Sequence, residues 1–147
     1  MIGGLGGAGK AVASYFSSYF VPKGSEVVCS SRKDNSIFCE SINLKWIPWQ
    51  NIEKGLHNFD TFINCTTVGT GKLINQAPVK ISANSNLKFI YDIIYDPSQT
   101  ELLNLAKKNK ITSTNGLEMN LLQAARAFKL ASNVNLSENE IVEMMSS

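Results

Sequence analysis

The chain has 147 residues, 44% of them hydrophobic and 18% charged, with a net charge of +2, which is the balance of one ordinary globular domain long enough to bury a core. No basic cluster speaks for nucleic acid, no apolar run approaches the ~18 residues of a membrane span, and the N-terminus lacks the segments of a signal peptide. A soluble cytoplasmic protein with no nucleic-acid or membrane partner is expected. Cys29, Cys39 and Cys65 lack metal-ligand spacing and read as small apolar residues in a reducing compartment, with no metal site.

The first nine residues organise the rest. Gly4, Gly6 and Gly9 fit G-x-G-x-x-G, in which the first glycine turns the chain after a strand, the second admits a pyrophosphate and the third lets a helix pack on the sheet. Only Met1 and Ile2 precede them, where a strand of roughly five or six residues is usual. The first strand is therefore expected to be truncated, in a chain that starts inside a longer protein. Val12, Tyr15, Phe16, Tyr19 and Phe20 recur at helical spacing over 10–20, with Pro22 and Gly24 as the stop. Residues 26–30 read as a second strand and 31–35 as a polar turn. An amphipathic stretch over 36–42 leads to a third strand at 44–47, stopped by Pro48, and 50–56 reads as a short helix or turn. Residues 59–65 form the fourth strand. Residues 71–87 are mostly loop, and 88–93 form the fifth strand.

Pro97 blocks that strand, and Thr100 is a plausible cap for a helix over 101–109. Residues 110–114 give a sixth strand, and Asn115-Gly116 turns into a helix over 117–130. Ser137 and Glu140 are spaced as a capping box for a last helix. Strand and helix alternate throughout, which predicts an α/β fold: a Rossmann-like, doubly wound parallel sheet of about six strands with helices on both faces. Ligands of such sheets bind beyond the C-terminal strand ends, so the polar turns there are expected to converge on one crevice.

The turn after the second strand selects the cofactor. NAD sites place an acid at that strand end, NADP sites an arginine. Here stand Ser31, Arg32 and Lys33: a hydroxyl donor, a planar fork matched to phosphate and a point charge. Asp34 falls beyond the strand end. A solvated basic turn would look the same in isolation; behind the glycine loop, the turn favours NADP.

These motifs together resemble shikimate dehydrogenase, specifically its C-terminal NADP-binding domain. The family's G-A-G-G-A-x-[RK]-A is similar to Gly4-Leu5-Gly6-Gly7-Ala8-Gly9-Lys10-Ala11, and its N-R-T to Ser31-Arg32-Lys33. N-A-T-x-x-G is similar to Asn64-Cys65-Thr66-Thr67-Val68-Gly69, and D-x-x-Y-x-P-x-x-T to the run from Asp92 through Tyr95 and Pro97 to Thr100. N-G-x-x-M-x-x-x-Q-A-A matches Asn115-Gly116 through Met119 to Gln123-Ala124-Ala125. Order and spacing hold over about residues 3–130.

The resemblance implies an NADP site formed by Gly4, Gly6, Gly7, Ala8, Gly9, Ser31, Arg32 and Lys33. Asn64 and Thr66 would line the adenine and ribose side, and Gly116 and Met119 would lie near the nicotinamide. Tyr95 and Gln123 would reach substrate hydroxyls. Glu118 departs from the small residue frequent in the family.

The resemblance also implies reduction of 3-dehydroshikimate to shikimate with NADPH, in aromatic amino-acid and chorismate biosynthesis. The substrate would be shared with an N-terminal domain absent from this chain. No stretch resembles that domain's catalytic lysine and aspartate, so no catalytic residue is assigned and the chain alone is expected to be inactive. His57, the one histidine, sits in a helix-to-strand turn away from the crevice and reads as a surface residue. Residues 1–131 are expected to form the cofactor domain and 132–147 a helix packing at the domain interface. A non-catalytic regulatory NADP module and a quinate or shikimate-like dehydrogenase remain as alternatives.

Overall fold

A computed structural model describes residues 1–19, 24–82, 85–132 and 134–146. Six parallel strands form one sheet in the order β3-β2-β1-β4-β5-β6. They are β1 (Ile2–Gly3), β2 (Val28–Ser31), β3 (Lys45–Pro48), β4 (Thr61–Asn64), β5 (Phe89–Asp92) and β6 (Thr112–Thr114). The helices are α1 (Gly7–Tyr19), α2 (Ser36–Ser41), α3 (Ile52–Leu56), α4 (Glu101–Lys108), α5 (Leu117–Ser132) and α6 (Glu138–Ser146). This is the Rossmann order, in which the sheet grows outward in both directions from its first strand. The polar turns after β1, β2, β4, β5 and β6 therefore share one edge.

The central strands β1, β2 and β4 are buried on both faces, as the middle of a parallel sheet requires, while the edge strands β3 and β6 are partly exposed. On one side Val28, Phe62 and Ile90 pack with Ile52, Leu56, Leu102 and Ala106 of α3 and α4. On the other, Ile2, Cys29 and Ile63 pack with Ala13 and Cys39 of α1 and α2, joined by Val12, Phe16, Trp46 and Tyr91. All three cysteines are free thiols buried in this second layer. Burial pushes the Cys29 and Cys65 thiols up to about 12, consistent with an apolar packing role.

β1 is as short as expected, yet it holds the centre. Ile2 pairs with Cys29 and Ile63 at once and is fully buried. Met1 extends the ladder by a residue: its ammonium donates to the Thr61 carbonyl at 2.7 Å, and its carbonyl accepts from the Ile63 N–H at 2.9 Å. The sheet thus keeps a continuous hydrogen-bonded middle.

Several boundaries differ from the sequence expectation, each for a local reason. α1 begins at Gly7, ahead of the first apolar residue, because its opening turn is glycine and alanine without an apolar signal. The stop expected at Pro22 lies outside the described residues. Pro48 ends β3 from inside, opposite Ser31; β3 is an edge strand, where a missing N–H is tolerated. Lys110 belongs to a helix end, not to a strand. Its φ is +58°, its N–H donates to Lys107, and the next N–H, of buried Ile111, reaches back to Ala106. That is a Schellman cap with lysine in the glycine position. Asn43, φ +56°, ends α2 in the same way, with bonds to Glu40 and from Leu44 to Cys39.

Helix starts follow the expected chemistry. Thr100 Oγ1 accepts from the Leu103 N–H at the head of α4. Ser137 and Glu140 exchange bonds across the first turn of α6 as a capping box. α6 buries Ile141 but leaves Met144 and Met145 exposed.

Candidate functional site

The four glycines after β1 divide into two classes. Gly4 has φ +96°, and a Cβ there would lie 2.8 Å from the Cys65 backbone; a Cβ on Gly9 would lie 1.8 Å from the Gly4 carbonyl oxygen. These two are required by the protein itself, one for a left-handed turn and one for bringing α1 against it. Gly6 and Gly7 are exposed, with nothing within 4 Å of a built Cβ. They leave open space before the first turn of α1, whose leading N–H groups, at Gly7, Ala8 and Gly9, lack intrahelical acceptors. An anion fits there.

After β2 the turn is built from its own side chains. Ser31 Oγ donates to the Lys33 carbonyl at 2.7 Å and accepts from Asn35 Nδ2 at 3.0 Å and Trp46 Nε1 at 2.9 Å. Its hydrogen is therefore committed, and Ser31 shapes the turn rather than offering the free donor expected from sequence. Asp34 accepts from the Ser36 N–H at 2.8 Å, which holds its carboxyl below the usual range. That leaves Arg32 and Lys33 exposed, and among the described residues neither has an ion pair.

After β4 and β5 lies a buried polar network. Asn64 Nδ2 donates to Asp92 Oδ1 at 2.9 Å, while Asn64 Oδ1 accepts from Thr66 N–H at 3.0 Å and Thr66 Oγ1 at 2.7 Å. Asp92 accepts further from the Ile94 N–H at 3.2 Å and from Thr100 Oγ1 at 2.7 Å. Asn64, Asp92 and Thr100 are almost wholly buried. Burial raises the Asp92 carboxyl above its ordinary range, opposed by the donors from Thr100, Ile94 and Asn64. Sequence reading placed Asn64 along the cleft wall. It sits instead behind the wall and positions Thr66, which is half-buried. Asp92 and Thr100 are the members sequence reasoning missed as a unit: they tie the ends of β4 and β5 to the cap of α4. The signal was in the chain, as a buried-strand aspartate eight residues before a capping threonine.

After β6, a Cβ on Gly116 would lie 2.0 Å from the Ile93 carbonyl oxygen, and its N–H donates to Ile94 at 3.1 Å. Gly116 thus seats α5 against the end of β5. The next turns of α5 face Tyr91 across a cleft of about 420 Å³, lined by Glu118, Met119, Gln123, Arg126 and Glu138 among others. The structure brings Met119 and Gln123 together there. Tyr95, half-exposed beyond β5, stands apart from that cleft. A hollow of about 570 Å³ near Glu26, Asp60 and Lys88 lies at the N-terminal strand ends, the wrong edge for a ligand of a parallel sheet. His57 is exposed just ahead of β4, at that same wrong edge. Among the described residues no His, Cys, Asp and Glu cluster could hold a metal ion, and no helix is long and apolar enough to cross a membrane.

The sheet order lays these parts in a row: Arg32 and Lys33 after β2, the glycines after β1, Thr66 after β4, and the Met119 cleft beyond β5 and β6. With strands about 4.8 Å apart, the three intervals from β2 to β5 span about 14 Å of one crevice.

No protein-family model matches the sequence. The chain is 40% identical over 81 residues to the NADP(+) shikimate dehydrogenase of Caldanaerobacter subterraneus, covering 55% of this chain and 29% of that protein. It is 32% identical over 132 residues to that of Staphylococcus haemolyticus, covering 88% of this chain and 47% of that protein. Its relatives are shikimate dehydrogenases. It matches the C-terminal part of these shikimate dehydrogenases and spans about half of their length or less. The crystal structure of shikimate 5-dehydrogenase from Listeria monocytogenes, in complex with shikimate and NAD, superposes with a TM-score of 0.76 at 26% identity, over 98% of this chain and 54% of that one.

Proposed function

We propose that this chain is the NADP-binding domain of a shikimate dehydrogenase, holding the cofactor while 3-dehydroshikimate is reduced to shikimate. The observation that carries the reading is the Arg32–Lys33 pair, exposed and without a carboxylate partner among the described residues, one strand from the open glycines. Arg32 and Lys33 would hold the 2′-phosphate, Gly6, Gly7 and the first turn of α1 the pyrophosphate, and Met119 the nicotinamide face. Gln123 would bond a substrate hydroxyl from the same cleft. Tyr95 would do so only from beyond it. When bound, NADPH supplies the hydride; this chain's residues bind and orient it. Asp34 lies beyond the end of β2 and its carboxylate accepts from the Ser36 N–H; with Arg32 and Lys33 there, the turn's charge favours NADP over NAD.

The proton donor and the substrate carboxylate site would come from a second, N-terminal domain. The exposed Phe128, Leu130, Met144 and Met145 on α5 and α6 suit a surface that such a domain covers.

Calorimetric titration of the chain with NADP+ and NAD+ tests the cofactor reading. Binding of NADP+ at least tenfold tighter, lost in Arg32→Ala, is expected. Equal affinity for both would remove it. The chain alone is expected to show no shikimate-dependent NADPH formation, and detectable turnover would place the catalytic groups within it.

A further inference from the structure

The Met119 cleft contains a feature the binding reading leaves unused. Glu118 stands in the first turn of α5, exposed, and lines the cleft beside Met119 and Gln123. Among the described residues it makes no hydrogen bond and no ion pair. The charged and titratable groups that face it are Tyr91 across the cleft, Arg126 about two turns along the same helix, and Glu138 at the start of α6. Arg126 lies within ion-pair distance of neither glutamate. Burial, with Glu118 as a lesser contributor, holds the Tyr91 hydroxyl above its ordinary range.

We infer that Glu118 sets the site's preference between the two redox forms of its cofactor, holding a carboxylate beside a ring that is cationic when oxidised and neutral when reduced. The inference rests on the proposed placement of the nicotinamide in this cleft. A carboxylate beside a pyridinium in a partly solvated cleft attracts it by an amount worth roughly three- to tenfold in affinity. The neutral dihydropyridine gains almost nothing. Glu118 therefore tightens NADP+ selectively, and a site carrying it releases oxidised cofactor more slowly than one with a neutral residue.

Dissociation constants of the purified chain for NADP+ and for NADPH, measured for the wild type, Glu118→Gln and Glu138→Gln, test this without any turnover. Glu118→Gln is expected to weaken NADP+ roughly three- to tenfold and leave NADPH within about twofold, with the difference shrinking as salt is raised. Equal weakening of both forms, or no change in either, overturns the inference while leaving the cofactor site intact. An equal shift from Glu138→Gln assigns the effect to the cleft's total charge and overturns the role of Glu118. If the wild type binds neither form, the site reading fails and takes this inference with it.

Discussion

At the scale of single residues, a glycine motif mixes positions the fold needs with positions a ligand needs, and the two separate by what surrounds each Cβ. Gly9→Ala drives a methyl into the Gly4 carbonyl, and overpacking of a fixed backbone contact costs about 3 kcal/mol or more. Gly6→Ala adds a methyl to open space at the head of α1, with a cost below about 1 kcal/mol. Urea denaturation is expected to show the first variant strongly destabilised and the second near wild type, while calorimetry shows Gly6→Ala unable to hold NADP+. A Gly6→Ala protein that binds normally would mean the pyrophosphate does not pass there. The spacing of these glycines, and the exposed Arg32 at the turn behind them, were legible in the sequence because both are local features. The place of Asn64 was not. Its burial depends on Asp92, which lies 28 residues away and meets it only through the β4–β5 register.

At the scale of elements, strands and helices were readable wherever apolar period and capping chemistry agreed, as with Thr100 ahead of α4 and Ser137 ahead of α6. They misled where one residue served two grammars. Lys110 reads as the first residue of a strand, but its left-handed backbone closes α4. Pro48 reads as a stop, yet an edge strand lets it stay in the ladder. The lysine also carries a strain that glycine would not, since a side chain in the left-handed region costs about 1 kcal/mol. Lys110→Gly is therefore expected to stabilise the chain by about 0.5–1 kcal/mol, read as a higher urea midpoint at unchanged slope. A lower midpoint would show that the lysine side chain contributes contacts outweighing that relief.

At the scale of the whole molecule, the central ladder ends on the buried amine of Met1. In a chain whose amine is free at Met1, burial pulls the ammonium down from the usual 8.0 to about 6. The folded state then binds fewer protons than the unfolded chain between those values, so stability rises with pH across that window. The full two-unit displacement corresponds to about 2–3 kcal/mol. Denaturation midpoints at pH 5.5, 7 and 8.5 are expected to climb, and acetylation of the amine is expected to flatten the profile. A flat profile for the unmodified chain would place that amine in water.

The brevity of β1 has another consequence. β2 and β3 form one leaf of the sheet and β4, β5 and β6 the other, and among the described residues the backbone hydrogen bonds that join the leaves run only through Met1, Ile2, Gly3 and Gly4. Such a seam is where a protein opens below its global unfolding free energy. The amides that cross it, Gly4 to Ser30, Ile63 to Met1 and Cys65 to Gly3, are expected to exchange with deuterium as one cooperative group, faster than those inside either leaf. A dinucleotide lying from Arg32 to Met119 would bridge both leaves across this seam. NADP+ is therefore expected to slow that one group most, acting as a clasp on the fold as well as its cargo.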